Sequence, residues 1–299
     1  MPGYLTACPL DIRRLYIENK CKVMNLTKDV KFPRGANLYI DHPHKLAYCL
    51  IPKAASRTFR SILGSLLTQN VSYIPKHDFN TVPGISRFSF MPPKLQQEVL
   101  RTYKKMIVVR HPYDRVVSVF DSKLNPTRRG MIKGVLGDNL QQINRYLSEV
   151  QGKNVSYDLD KDDLTFDEFV GILSTQYNDG FQDVHWETMF EHCEPCSIKY
   201  DFVLRLETLQ KDYRVLATYL RTPSALRGSA PFLDQMKSSL LEPEEKMFNL
   251  LLRYENLDKK ILNGLRRIYA RDLEVFGYTW DDEKGANCRI PVGEGTSCC

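Results

Sequence analysis

LAYCLIPKAASRTFRSILGSLL, residues 46–67, changes its hydrophobic period in mid-course. Leu46 to Ile51 is an unbroken apolar run, as a short strand buried on both faces requires. Pro52 ends it. After a loop of small and cationic residues, Phe59, Ile62, Leu63, Leu66 and Leu67 recur at i, i+3, i+4, i+7 and i+8, the stripe of an amphipathic helix. Two later stretches follow the same order. Met106 to Val109 is apolar, His111-Pro112 breaks the run, and Tyr113, Val116, Val117, Phe120 and Leu124 mark a helix. Tyr200 to Leu206 is followed by Leu209, Tyr213, Leu216, Ala217 and Leu220. Strands alternating with helices predict a single α/β domain, a central parallel β-sheet flanked by helices on both faces.

The rest of the 299 residues fits around that core. With 42% hydrophobic and 26% charged residues the chain has globular composition, and its length needs no disulfide staples. No linker or repeat divides it. Residues 1–45 read as a lead segment, 46–280 as the domain, and 281–299 as a flexible Gly- and Cys-containing tail. Leu257 to Phe276 reads as one packing helix. No apolar run is long enough to span a bilayer, and the N-terminus lacks a signal-peptide pattern. Three triplets, starting at Asn25, Asn70 and Asn154, match the N-glycosylation acceptor and point to a glycosylating compartment. The eight cysteines are compatible with disulfides or with free thiols. Net charge is +6, and the excess is local: Arg101 to Lys133 holds nine basic and two acidic residues, a balance of +7.

Ligands of open parallel sheets bind beyond the carboxyl ends of the strands, which directs attention to two loops. The first is Pro52-Lys53-Ala54-Ala55-Ser56-Arg57-Thr58. Its small residues let backbone N–H groups approach an anion at a helix start, and its side chains add donors. It is not a Walker A loop, since no GxxxxGK[ST] occurs. A plain strand-to-helix turn with a solvated lysine is the bland alternative. The second is Arg110-His111-Pro112-Tyr113-Asp114-Arg115-Val116-Val117-Ser118. Arg110 can grip a phosphate bidentately and Ser118 can add a hydroxyl; alone, they could equally be a surface arginine and a helix serine. Two such loops in one sheet suggest a ligand with two separated phosphate-like groups.

With these motifs the chain resembles the Golgi carbohydrate sulfotransferases related to the chondroitin and dermatan 4-O-sulfotransferases, and more distantly the uronyl 2-O-sulfotransferases. That family carries PKxxxxx(W/F) for the 5'-phosphosulfate and RxPxxRxxS for the 3'-phosphate of 3'-phosphoadenosine-5'-phosphosulfate (PAPS). Here the matching segments are PKAASRTF at 52–59 and RHPYDRVVS at 110–118. FDEFV at 166–170, HWETMFEHCEPCSIKYDFVLRLETL at 185–209 and IYARDLEVFGY at 268–278 are similar to further family blocks, in the same order. The chain departs from the pattern at His111, where the family carries an acid, at Tyr113 and Asp114 for Phe and Glu, and in AASRT of the first loop.

The resemblance implies a P-loop-NTPase-like sulfotransferase fold and in-line transfer of a sulfuryl group from PAPS to a sugar hydroxyl. The residues of both loops would bind the donor, with Lys53 neutralising charge on the leaving phosphate. His77 is the first candidate for the general base and His185 the second. Lys123, Arg128, Arg129 and Lys133 would follow an anionic glycan, or form a solvated face. Asp114, Arg205 and Glu207 would hold the loops. No metal is expected. Cys193-Glu194-Pro195-Cys196 invites zinc or redox readings, but no second ligand pair is at hand, and disulfide pairing in an oxidising lumen fits better. The implied setting is a type II membrane protein of the Golgi lumen, anchored by a segment that this sequence does not contain. The rival is a catalytically inactive protein of the same fold that binds anionic glycans; a nucleotide kinase would need a differently placed lysine.

Overall fold

The computed structural model describes residues 9–26, 37–68, 82, 84–124, 129–152, 154–221, 250, 252–281, 285–288, 290–293 and 296–298. Helix α1 (Leu10–Val23) opens the chain, with Asp11 in its first turn and Lys20 and Lys22 in its last, charges that suit the helix dipole. Strands β1 (Leu38–Asp41) and β2 (Leu46–Cys49) follow, then α2 (Ser56–Thr68), β3 (Ile85–Arg87), α3 (Pro93–Thr102) and β4 (Lys104–Val109). Helix α4 (Pro112–Val119) runs into a wider helical turn at Phe120–Leu124; α5 (Arg129–Leu136), α6 (Leu140–Gln151), α7 (Phe166–Gln176) and α8 (Met189–Cys193) come next. The described core closes with β5 (Phe202–Arg205), α9 (Leu209–Tyr219), α10 (Lys259–Ile268), α11 (Ala270–Phe276) and β6 (Tyr278–Asp281).

The sheet has five strands in the order β3-β1-β2-β4-β5. Strands β2, β4 and β5 are parallel, as the alternating grammar predicts. The sheet as a whole is mixed, because β1 runs antiparallel to both its neighbours. The reason is local: β1 reaches β2 through the tight turn His42–Lys45, with Lys45 left-handed at φ 48°, and a turn that short can join only antiparallel strands. Thus β1 and the helix before it come from the stretch read as a lead segment. Beyond β6, residues 285–288, 290–293 and 296–298 form strands in two-stranded ladders (β7, β8 and β9) within the stretch read as a tail.

Side chains alternate through the sheet to make two cores. Leu46, Tyr48, Met106, Val108 and Leu204 pack against α2 and α9. Ala47, Cys49, Ile107, Val109 and Val203 pack against α1, α3, α8 and α11. A third cluster joins α4 to α7 and α10 around Trp186, Tyr113 and Tyr269. The single helix expected over 257–276 is instead two, broken at Tyr269, whose buried hydroxyl donates to the Trp186 carbonyl at 2.7 Å. Two disulfides cross the second core, Cys21 to Cys196 and Cys49 to Cys193. The CxxC cysteines therefore do not pair with each other; each ties the 193–196 turn to a distant element.

Candidate active site

In the parallel core Cys49 lies opposite Ile107 and Val109 opposite Arg205, so the three strands end side by side. Beyond those ends is a cavity of about 580 Å³. Among the described residues, five cationic side chains line it, Lys53, Arg57, Arg60, Arg110 and Lys123, together with His185, Ser56, Thr58, Ser118 and Ser122, and no carboxylate does. Such a wall concentrates positive potential in a concave site.

The first loop is a strained, cation-bearing turn between β2 and α2. Lys53 and Ala55 are both left-handed, at φ 69° and 57°, on either side of buried Ala54. The Ala54 N–H donates to the Ile51 carbonyl at 3.3 Å, and the two left-handed residues shape the backbone concavity called a nest directly before the first turn of α2, whose N–H groups have no intrahelical acceptor. The Lys53 ammonium donates to the Ser122 hydroxyl at 2.5 Å, and Ser122 donates to the Ser118 carbonyl at 2.7 Å. That chain aims Lys53 across the cavity. The carbonyl of Pro52 accepts from Arg115 at 3.0 Å.

In the second loop only Arg110 and Ser118 reach the cavity. Arg110 grips Asp114 with Nε and Nη2, both at 2.7 Å, and donates through Nη1 to the Lys53 carbonyl at 3.0 Å. Of its five N–H donors, two remain for a ligand. His111, Pro112, Tyr113, Asp114, Arg115 and Val116 are buried, and Val117 packs on the third core. Their side chains do not face the cavity, as the whole-loop reading expected, because α4 begins at Pro112 and turns that face to the interior. Arg115 is fully buried on three carbonyls, those of Pro52, Glu187 at 2.6 Å and Val184 at 3.3 Å.

His111 has a defined tautomer. Its Nδ1 accepts from the Tyr113 N–H at 3.3 Å and its Nε2 donates to the Thr279 carbonyl at 3.0 Å, so the ring is neutral. Its backbone N–H donates to Glu207, which also accepts from the Tyr278 hydroxyl at 3.0 Å. Burial pushes the His111 imidazole down to about 4. A histidine near 6.5 when unfolded and near 4 when folded stabilises fully above pH 6.5 and loses that stability as pH falls toward 4, about 3 kcal/mol in all. Asp272 opposes it over the same interval, since burial pushes its carboxyl up to about 7. The difference between wild type and His111→Gln isolates the histidine: urea stability of wild type relative to the variant is expected to drop by about 3 kcal/mol between pH 7 and pH 4. A difference that stays flat with pH would contradict the burial argument.

His185, the second base candidate, lines the cavity, and its Nδ1 meets Asp183 at 2.5 Å. Burial pushes the Asp183 carboxyl up, but hydrogen bonds from the His185 ring and backbone outweigh it and hold the group below its usual value. His77 and Arg128 lie outside the described residues. Arg129 is the first residue of α5. Lys133, half-exposed, is ion-paired with Asp160.

Of the described basic side chains of the +7 segment, only Arg110 and Lys123 reach the cavity. Lys104 pairs with Asp201 at 2.7 Å, Lys105 donates to the carbonyls of Leu100 and Tyr103, Arg110 pairs with Asp114, and Arg115 is interior. The cavity draws its charge from the first loop, α2, Arg110 and Lys123. Arg60, Ser122 and Asp183 are the site residues that sequence reading missed. Asp183 was the most accessible of them, two residues before His185; Ser122, one turn after Ser118, was another. Cys49, His192 and Cys193 bring three ligand atoms within 4.8 Å of one another, but the disulfide occupies both sulfurs.

A sulfotransferase family model matches residues 36–279. Carbohydrate sulfotransferase 11 of Rattus norvegicus is 26% identical over 289 residues, covering 92% of this chain and 77% of the relative. Carbohydrate sulfotransferase 10 of Mus musculus is 27% identical over 306 residues, with coverage of 92% and 77%. Carbohydrate sulfotransferase 9 of Homo sapiens is 26% identical over 285 residues, with coverage of 89% and 59%. No solved structure matches the chain. The matched span runs from before β1 into β6 and takes in both strand-end loops and every described residue that lines the cationic cavity, and on that match the chain belongs to the sulfotransferase family.

Proposed function

We propose that this protein transfers a sulfuryl group from PAPS to a hydroxyl of a glycan, of chondroitin or dermatan type or a related glycosaminoglycan or glycoprotein glycan. The observation that carries the reading is the cavity itself: among the described residues, five cations, a backbone nest and no carboxylate, at the ends of three parallel strands. A donor with two phosphate-like groups fits that wall. The nest residues 53–55, Ser56 and Thr58 would hold one group, and Arg110 and Ser118 the other. Bound PAPS supplies an electrophilic sulfur and a phosphate leaving group. Lys53 holds a positive charge where negative charge develops, and the fixed N–H groups need no reorganisation to do the same. His185 is the described group able to take the acceptor proton, with Asp183 accepting from Nδ1–H and leaving Nε2 as the basic nitrogen.

The test is transfer of labelled sulfate from PAPS to desulfated chondroitin and a panel of other glycans. PAPS binding without transfer to any of them would favour the inactive glycan-binding reading. Within that assay, His185→Gln is expected to lower kcat by about 10²-fold or more with affinity for the desulfated donor unchanged. Should His185→Gln be silent and His77→Gln lose that activity, His77 is the base instead. The compartment reading is the Golgi lumen. Two disulfides and the exposed acceptor residues Asn25 and Asn154 support an oxidising, glycosylating lumen. Among the described residues no helix is long and apolar enough to cross a membrane.

A further inference from the structure

A second groove, of about 590 Å³, lies between α7 and the α10–α11 pair. Lys260, Arg267 and Arg271 line it. Lys260 and Arg267, seven residues apart, share a face of α10, and Arg271, in the first turn of α11, lines the same groove. All three are exposed, and none makes an ion pair with any described residue. The Arg271 guanidinium lies over the Phe190 ring at 5.4 Å, a cation–π contact that holds it at the groove. Glu191, the one carboxylate in the lining among the described residues, accepts from the Tyr177 hydroxyl at 3.1 Å. The floor is a close helix contact: a Cβ on Gly264 would stand 2.8 Å from the Ser174 carbonyl oxygen.

We propose that this groove binds a segment of anionic polysaccharide through its carboxylate or sulfate groups, outside the donor cavity. The cationic stripe supplies the charge, and the polar side chains of Thr175 and Asn178 suit hydroxylated rings. None of the large exposed hydrophobic side chains lines the groove, so it lacks the apolar wedge that a membrane surface would use. The groove is also tied to the donor cavity by one short segment. His185 lines the cavity and Thr188 the groove, three residues and at most about 11 Å of chain apart. The proposal deepens the glycan-acceptor reading and rests on it for the natural polymer; the binding of the charged chain is measured separately.

The experiment measures binding of a fluorescent chondroitin sulfate octasaccharide to the protein and to Lys260→Glu/Arg267→Glu/Arg271→Glu. Donor-product affinity and transfer to a short acceptor are read in parallel. Octasaccharide affinity is expected to fall at least ten-fold in the triple variant, with donor-product affinity changed less than two-fold. Asn178→Trp, which narrows the groove without altering charge, should also weaken binding. The control Lys94→Glu/Arg101→Glu/Lys199→Glu reverses three exposed cations elsewhere. Equal losses in both triples, or octasaccharide affinity within two-fold of wild type, would overturn the proposal. So would loss of binding to phosphatidylserine vesicles in a triple variant that keeps its octasaccharide affinity. If the wild type transfers no sulfate, the glycan-transfer reading fails while the binding comparison still decides this one.

Discussion

Lys53→Ala is expected to lower kcat for sulfuryl transfer by about 10²–10³-fold, the usual cost of removing one preorganised donor to developing negative charge. The argument is geometric. Lys53 sits in the left-handed region between the end of β2 and the start of α2, and its ammonium is aimed by the Ser122 hydroxyl. Alanine accepts the same backbone conformation at similar strain, so the nest and the fold persist while the charge disappears. Affinity for the desulfated donor should change much less than kcat, because Arg57, Arg60, Arg110 and Lys123 still line the cavity. Steady-state kinetics with a direct binding measurement separate the two. A variant with kcat within three-fold of wild type would remove Lys53 from the chemistry.

The second large effect is on stability. Arg115→Leu is expected to cost about 3–5 kcal/mol in urea unfolding, because it removes a buried cation that partners other buried groups. Three carbonyls, on Pro52, Val184 and Glu187, lose their donor at once. Asp272, whose carboxyl Arg115 holds down against the push of burial, also loses that cation. Two of the carbonyls belong to the segment that carries His185, and the third to the residue before Lys53. Activity measured well below the melting temperature should therefore fall as well. Arg115→Lys keeps the charge without the fork, and should recover only part of the loss. A cost below about 1 kcal/mol for Arg115→Leu would show that the carbonyls find other donors.

Both expectations rest on residues that a linear reading treats unequally. The loops containing Lys53 and Arg110 were legible because a strand, a break and a helix stripe are local patterns, and the ends of parallel strands are where ligands collect. Strands β1 and β3 were not, being four and three residues long, too short for a period of two to stand out. Helix α1 lacked a signal of another kind. Its buried face includes Arg13, which pairs with Asp212 at 2.6 Å and donates to the Val203 carbonyl, so an interior position reads in the sequence as a surface charge.

The charge pattern shows the same division. By sequence alone the nine cations of 101–133 form a block; in the structure Arg110 and Lys123 from that block line the cavity, while Lys104, Lys105, Arg115 and Lys133 have other partners. Adjacency in sequence does not predict adjacency in space once a strand sends successive side chains to opposite faces and a helix turns them by about 100° each.

What the amino-acid sequence determined by itself was the alternation of strands and helices, the parallel core and the two loops at its edge, since these follow from periodicity and from Pro, small and cationic residues within a few positions of one another. Only the tertiary structure decided which partners the cysteines take, that His111 is a buried neutral hinge between α4 and β6, that Arg115 serves carbonyls and not a ligand, and that His185 faces the cavity with Asp183 behind it. Most of those outcomes depend on contacts between segments far apart in the chain, and packing and burial set the role of each side chain.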